Sequence, residues 1–187
     1  MDKVRLVIGY GNPGIRFAKT RGNVGFIFID YAIFNAVNTF PSTTFREWTT
    51  KSKYQFIVSN QEPLTLVVKP RTYARDFEKT SRTLFNFYNP EIDDFYIIYP
   101  DLGTPLGEYE VSKNFGRYTP ENVRKLQDTI DTGDFWKVRL GAGGSLGNLE
   151  RQDETLNQDL NNLEYGFIKA VADKLAPELK IVTGVMS

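Results

Sequence analysis

Val4-Arg5-Leu6-Val7-Ile8-Gly9-Tyr10-Gly11-Asn12-Pro13-Gly14, followed by Thr20-Arg21-Gly22-Asn23-Val24-Gly25, is the stretch whose reading decides the fold. Val4, Leu6, Val7 and Ile8 form a short apolar run with the composition of a buried strand. Gly9, Gly11, Pro13 and Gly14 then interrupt it, because glycine accepts positive φ and proline resists regular pairing. From Asn23 to Val37 the apolar spacing turns helical, with Val24, Ile27, Phe28, Tyr31, Ala32 and Phe34 favouring one side. Strand, glycine-rich turn and helix open an α/β unit, whose ligands sit at the carboxyl ends of the strands.

Working outward, Tyr54–Val58 and Leu64–Lys69 predict a hairpin around Ser59–Pro63. Ala74–Tyr88 predicts an amphipathic helix ended by Asn89-Pro90, and Phe95–Tyr99 a strand covered on both faces. Glu108–Ser112 reads as a short strand. Pro120–Asp131 reads as a helix with Thr119 as its cap, and Phe135–Leu140 as a strand. Gly141–Gly144 reads as a flexible turn, and residues 145–162, rich in Asn, Gln and Asp, as a mobile loop. A final helix spans Leu163–Leu175 and stops before Pro177. The order predicts one three-layer α/β domain over residues 1–187, with a mixed, mostly parallel sheet and helices on both faces.

Composition narrows the chemistry. The 187 residues hold 23 basic and 23 acidic side chains, so RNA affinity needs a local patch rather than bulk charge. Cysteine and histidine are both missing, which excludes thiolate nucleophiles, disulfides, zinc-thiolate sites and imidazole bases. We expect no metal and no cofactor. No segment has the length of a membrane span, and the strand beginning near Val4 leaves no room for a signal peptide. The expectation is a cytoplasmic protein, with a mature organellar one left open. The Gly9–Gly14 turn lacks dinucleotide-fingerprint spacing, and Gly141–Gly144 has no P-loop lysine.

The Gly-x-Gly-Asn-Pro-Gly and Thr-Arg-x-Asn-x-Gly elements resemble the amino-terminal signature of bacterial-type peptidyl-tRNA hydrolases. Further partial matches follow in order: Lys69-Pro70-x-Thr72-Tyr73; the Ile97–Leu102 strand ending at Asp101; Lys113-x-x-Gly116 with Asn122; and Phe135-x-x-Val138-Arg139-Leu140-Gly141-x-Gly143. The resemblance implies that fold and a site acting on the ester between peptide and tRNA. In the family a histidine between Arg and Asn is the general base, an aspartate orients it, and asparagines position substrate. Here the histidine position is Gly22, Asp101 matches the acid, Asn12 and Asn122 match amides, and Arg75 replaces an amide. The turn from Asp101 to Pro105 is one residue shorter than the family's.

The expected substrate-binding set is therefore Tyr10, Asn12, Tyr73, Arg75 and Asn122, with Asn12 and Asp101 as catalytic remnants. Arg75 is open to two uses, an ion pair with Asp101 or a bidentate grip on phosphate. Lys113, Arg117, Arg124 and Lys125 with Tyr118 form the expected RNA patch, since cations and an interleaved ring suit phosphate contact and base stacking. Asn12 and Asn23 also read as turn and cap residues, and the basic cluster also reads as a solvated helix face. The leading expectation is a monomeric tRNA- or structured-RNA-binding relative, or a ribonucleoprotein component working beside ribosome-associated proteins, with hydrolysis lost or much reduced. The alternatives are an active hydrolase using Asp101 or another base, and a structural subunit docking through Phe45, Trp48 and Tyr54.

Overall fold

The computed structural model describes residues 3–39, 47–59, 63–130, 134–143 and 152–181. Seven strands form one sheet: β1 (Val4–Gly9), β2 (Thr49–Thr50), β3 (Tyr54–Ser59), β4 (Leu64–Pro70), β5 (Phe95–Pro105), β6 (Tyr109–Ser112) and β7 (Trp136–Gly143). Their order is β2-β3-β4-β1-β5-β7-β6. The four central strands β4, β1, β5 and β7 run parallel, and the outer pairings β2–β3, β3–β4 and β6–β7 are antiparallel. The helices are α1 (Val24–Thr39), α2 (Phe77–Tyr88), α3 (Glu121–Thr129), α4 (Gln152–Leu156) and α5 (Asn162–Glu178).

Alternation along the strands builds the three layers. Val7, Ile98 and Val138 face α1 and α5, where they meet Val24, Phe28, Ile168 and Leu175. Leu6, Ile8, Ile97 and Tyr99 face α2 and α3, where they meet Phe77, Leu84, Val123 and Leu126. Each large side chain so buried contributes about 1.5–3 kcal/mol. Tyr99 is fully buried, and its phenol is pushed up to about 12 by that burial; its hydroxyl pairs with Thr119 Oγ1 at 3.0 Å.

Gly25 explains how tightly the first turn is built. A Cβ there would stand 2.7 Å from the Tyr10 carbonyl oxygen and 2.8 Å from that of Ile98. Any side chain would lift the start of α1 off β1 and β5.

Several elements differ from the sequence reading. Gly141–Gly143 is buried strand rather than flexible turn, because Gly141 pairs with Asp101 and Gly143 with Pro105 along an extended β5; Gly144 lies outside the described residues. Of the loop expected over 145–162, residues 145–151 lie outside the described residues. The remainder forms α4 and a segment bonded to the first turn, where Thr155 and Leu160 are buried. Asn161 then caps α5 in a reciprocal box with Glu164. Thr119 does not cap α3; its hydroxyl donates to Gly116 O at 3.0 Å, and Pro120 holds the cap position. α5 passes through Pro177 to Glu178, and the proline there has no N–H to donate to the carbonyl one turn back. No helix among the described residues is long and apolar enough to cross a membrane.

Candidate functional site

Asn12 lies just beyond the carboxyl end of β1, in a turn fixed by a second asparagine. Its backbone N–H donates to Asn23 Oδ1 at 2.8 Å, and Asn23 Nδ2 donates back to Asn12 O at 2.8 Å. That reciprocity orients the buried Asn23 amide. Asn12 Oδ1 in turn accepts from the Ala74 N–H at 2.8 Å, and Asn122 Nδ2 donates to Ala74 O at 3.0 Å. Three segments are thereby knotted: the turn after β1, the Ala74–Asp76 turn after β4, and the first turn of α3. A groove of about 340 Å³ opens beside the knot, lined by Asn12, Pro13, Ile15, Asn23, Phe26 and Lys69.

Tyr73 and Arg75 sit on the same turn as Ala74, and both are exposed. Tyr73 is 49% accessible, and the Arg75 side chain is 80% accessible. Arg75 does not pair with Asp101. It leans over the Tyr73 ring, 5.6 Å from its centroid, and reaches Asp76 at 3.6 Å. Phe17 meets Tyr73 edge-on at 6.3 Å, and the exposed Arg16 lies 5.6 Å from the Phe17 centroid. Tyr10 turns to the α2 side instead. Its ring packs on Phe77 at 4.9 Å, and burial, with the Asp153 charge second, pushes its phenol up to about 12.

Gly22 adjoins Asn23 but faces the α4 segment. A Cβ at this position would lie 3.0 Å from the Leu156 carbonyl oxygen. Backbone bonds hold that cover in place: Arg21 N–H donates to Gln158 O at 2.9 Å, and Leu160 N–H to Lys19 O at 2.8 Å. The buried Arg21 guanidinium pairs with Glu164 and donates to Ala142 O at 3.2 Å. Thus β7 and α5 are tied to the same turn.

Asp101 has partners of its own. It is 2% exposed, accepts from Gly103 N–H at 2.8 Å, and meets Arg139 Nη1 at 3.4 Å. Gly116 closes over the pair, and a Cβ there would strike both side chains. Arg139 also pairs with Glu110 on β6. The structure therefore brings Asn12, Asn122, Tyr73 and Arg75 together around one turn, while Asp101 lies buried among β5, β7 and the Gly116 loop.

The expected basic patch divides. β6 runs antiparallel to β7, so it carries Lys113 toward the amino end of the sheet, where it pairs with Asp93 and lies 5.3 Å from the Trp136 centroid. Arg124 is drawn inward, donating to Gly116 O at 2.7 Å beside the Phe115 ring. Lys125 pairs with Glu121 at 2.6 Å. Arg117 stays exposed over Tyr118, which packs on Gly103 near Asp101.

Sequence reasoning quoted Arg139 within a strand motif without giving it a role, and missed Leu156, Arg16 and Phe17. Arg139 had a signal, since it is a charge inside an apolar strand run. Leu156 had none, because its role depends on a long-range backbone contact. Among the described residues, no group of three or more carboxylates is placed to hold a metal.

The model of the family described as peptidyl-tRNA hydrolase matches residues 6–183. This chain belongs to the peptidyl-tRNA hydrolase family. A peptidyl-tRNA hydrolase of Chlamydia abortus is 28% identical over 172 residues, covering 89% of this chain and 92% of the relative. One from Oceanobacillus iheyensis is 31% identical over 140 residues, covering 75% and 72%. The crystal structure of peptidyl-tRNA hydrolase from Acinetobacter baumannii superposes with a TM-score of 0.78 at 21% identity, covering 97% of this chain and 89% of that one. That likeness shows the shared fold: a mixed seven-stranded sheet with helices packed on it.

Proposed function

We propose that this protein is a tRNA-binding member of the peptidyl-tRNA hydrolase family in which ester hydrolysis is lost or much reduced. The observation that carries the reading is Gly22. It stands where the family resemblance places the general-base histidine, the chain has no histidine elsewhere, and the Leu156 carbonyl bounds the place a side chain would start. A positioned general base contributes about 10²–10⁴ in rate. The surrounding amides can accept and donate hydrogen bonds to a peptide or ribose, but an amide takes no proton from water. Arg75 adds a cation to the rim, which favours phosphate over a neutral peptide.

The alternative, an active hydrolase with Asp101 as base, is disfavoured by geometry. Asp101 is buried, and its oxygens are engaged by Gly103 and Arg139. Docking through Trp48 and Tyr54 is disfavoured too. Trp48 is half-buried over Lys69, and Tyr54 packs on Phe56; Phe45 lies outside the described residues. The partner in this reading is tRNA, with peptidyl-tRNA or another structured RNA in the same class. Docking in a ribonucleoprotein beside ribosome-associated proteins is a use of the same surface. The protein acts as a monomer in the cytoplasm, without metal or cofactor.

The test is turnover of peptidyl-tRNA beside a tRNA-binding titration at two salt concentrations. Binding with a negative salt slope, and turnover at least about a hundredfold below an ordinary family member, is expected. Turnover at an ordinary rate would overturn the reading.

A further inference from the structure

A pocket of about 260 Å³ lies between the turn that enters β3 and the first half of α2, and it shares no lining residue with the groove beside the asparagine knot. Leu84, 2% exposed, forms its apolar base, and the half-buried Tyr54 forms an aromatic wall. Tyr54 is fixed by two contacts, its ring meeting Phe56 at 5.9 Å and its hydroxyl bonding that of Tyr88. Arg71 N–H donates to Lys53 O at 2.8 Å, so the entry to β3 is held against the turn after β4. A few polar groups stand around this apolar base. Thr72 Oγ1 and the buried Thr80 Oγ1 lie 3.0 Å apart. One donates to the other, so the second hydroxyl proton has no partner among the described residues. The Thr83 hydroxyl donates its own proton to Lys79 O at 2.8 Å. Lys53 and Lys79 also line the pocket, and neither enters an ion pair among the described residues. Asp76 lines it too, but its carboxylate also meets Arg75 at 3.6 Å.

We propose that this pocket binds a small aromatic monocarboxylate, its ring against Tyr54 and Leu84 and its carboxylate among Lys53, Lys79 and the Thr72–Thr80 hydroxyls. The volume lies below the roughly 300–1,000 Å³ of sites for drug-sized ligands, so it admits one ring and one head group. An apolar lining with a few polar groups is the pattern of a small-molecule site rather than of a solvated helix face. Two ammonium groups against one carboxylate leave a single positive charge, which matches a monoanion better than a phosphate dianion. The free hydroxyl proton needs an acceptor, and a carboxylate offers one oxygen to it while keeping the other for an ammonium. The site stands apart from the RNA reading, since neither Asn12 nor Asn122 lines it, and either can fail alone.

The probe is benzoate, titrated into the full chain and followed by two-dimensional proton–nitrogen NMR. Saturable shifts centred on Lys53, Thr72, Lys79 and Thr83 are expected, with a dissociation constant of about 1 mM or below, a modest efficiency for so small a molecule. Benzamide, neutral and nearly the same shape, should bind at least about tenfold more weakly, the scale of losing charge-assisted hydrogen bonds. Acetate, the head group without the ring, should give no saturable shifts there. Lys53→Gln combined with Lys79→Gln should weaken benzoate about tenfold, the joint effect of two exposed cations. Thr83→Trp, at an exposed position on the edge of the pocket, should fill the space and abolish binding while the melting temperature holds. Absence of saturable benzoate shifts in the millimolar range overturns the proposal. So do shifts centred on Asn12 and Lys69, equal affinity for benzamide, or tighter binding of phenyl phosphate. Unchanged affinity in the double lysine variant, or full binding by a folded Thr83→Trp variant, overturns it as well.

Discussion

Two strings of cations and rings sit at opposite ends of the central strands, made of nearly the same parts. At the carboxyl end lies Arg16–Phe17–Tyr73–Arg75. At the amino end, Arg5 lies 5.5 Å from the Tyr96 centroid, Tyr96 stacks on Trp136 at 6.2 Å with planes 12° apart, and Lys113 caps Trp136. The amino-end rings are paired in register on neighbouring strands, Tyr96 opposite Trp136. Its cations are compensated, Arg5 by Asp94 at 2.8 Å and Lys113 by Asp93. The carboxyl-end rings stand on turns, and their cations face water. Residue type does not separate the two strings; the rigidity of the carrier and the closeness of the compensating carboxylates do, Arg75 having only the exposed Asp76 at 3.6 Å.

The comparison breaks most visibly at Asp94. Asp94→Ala leaves Arg5, 9% exposed, as an uncompensated buried charge, and should destabilise the fold by about 3–5 kcal/mol in urea titration. Tyr73→Ala at the opposite string should cost only about 0.5 kcal/mol, because it removes an exposed ring. Equal costs at the two ends would erase the distinction.

Next in size is Gly22. Gly22→His combined with Arg75→Asn should raise peptidyl-tRNA turnover at least about tenfold over the parent, a low fraction of what a general base supplies. The same pair should lose about 1–3 kcal/mol of stability, because the Leu156 carbonyl must give way to the new side chain. A folded double variant with no gain in rate would show that the cleft has diverged beyond one side chain.

A smaller effect tests the proposed RNA contact at Arg117 and Arg124. Arg117→Glu should weaken tRNA binding a few-fold and flatten its logarithmic salt slope by about 0.9, one duplex phosphate contact. Arg124→Glu should do this and also lower the melting temperature, since Arg124 bonds Gly116 O. If neither slope moves, this face lies outside the footprint.

The smallest effect concerns Lys137, fully buried between Phe115 and Phe135, whose ammonium is lowered to about 8 by burial. The unfolded chain keeps that proton to higher pH, so it binds more protons than the native state above pH 8. Stability should therefore rise between pH 8 and about 10 in the parent. Lys137→Met should lack the rise. Above that window Tyr10, Tyr88 and Tyr99, each pushed up to about 12 by burial, reverse the sign as unfolded tyrosines ionise first. A parent and variant with parallel pH profiles would refute the assignment.

Much of the fold was legible because its signals are local. The β1–turn–α1 opening and the doubly covered β5 followed from apolar periodicity and glycine placement. Gly141–Gly143 misled because glycine reads as a turn, whereas here small residues let β7 pass close to the far half of β5. The segment before α5 misled because its polarity hides Thr155 and Leu160, although Asn161 and Glu164 carry a capping-box spacing. Of the site, Asn12, Tyr73, Arg75 and Asn122 could be named from motifs. The motifs already put them in one cleft; that the Ala74 backbone joins Asn12 to Asn122 could not be read, because it depends on strand order. The division of the basic cluster was hidden for the same reason, as only the antiparallel direction of β6 sends Lys113 away from Arg117.

The backbone bridge between Thr20 and Asp159 has a consequence for assembly. The turn after β1 is among the first parts of the domain that synthesis produces, yet its buried arginine meets a carboxylate 143 positions further along the chain. A nascent chain holding β1 through β7 has the sheet order but an open first turn. Contacts of such long sequence separation form late and slowly, since a large loop must close first. The first turn is therefore closed only when the segment ahead of α5 arrives, together with the α5 side chains that complete the core on the α1 face, so both mature near the end of folding.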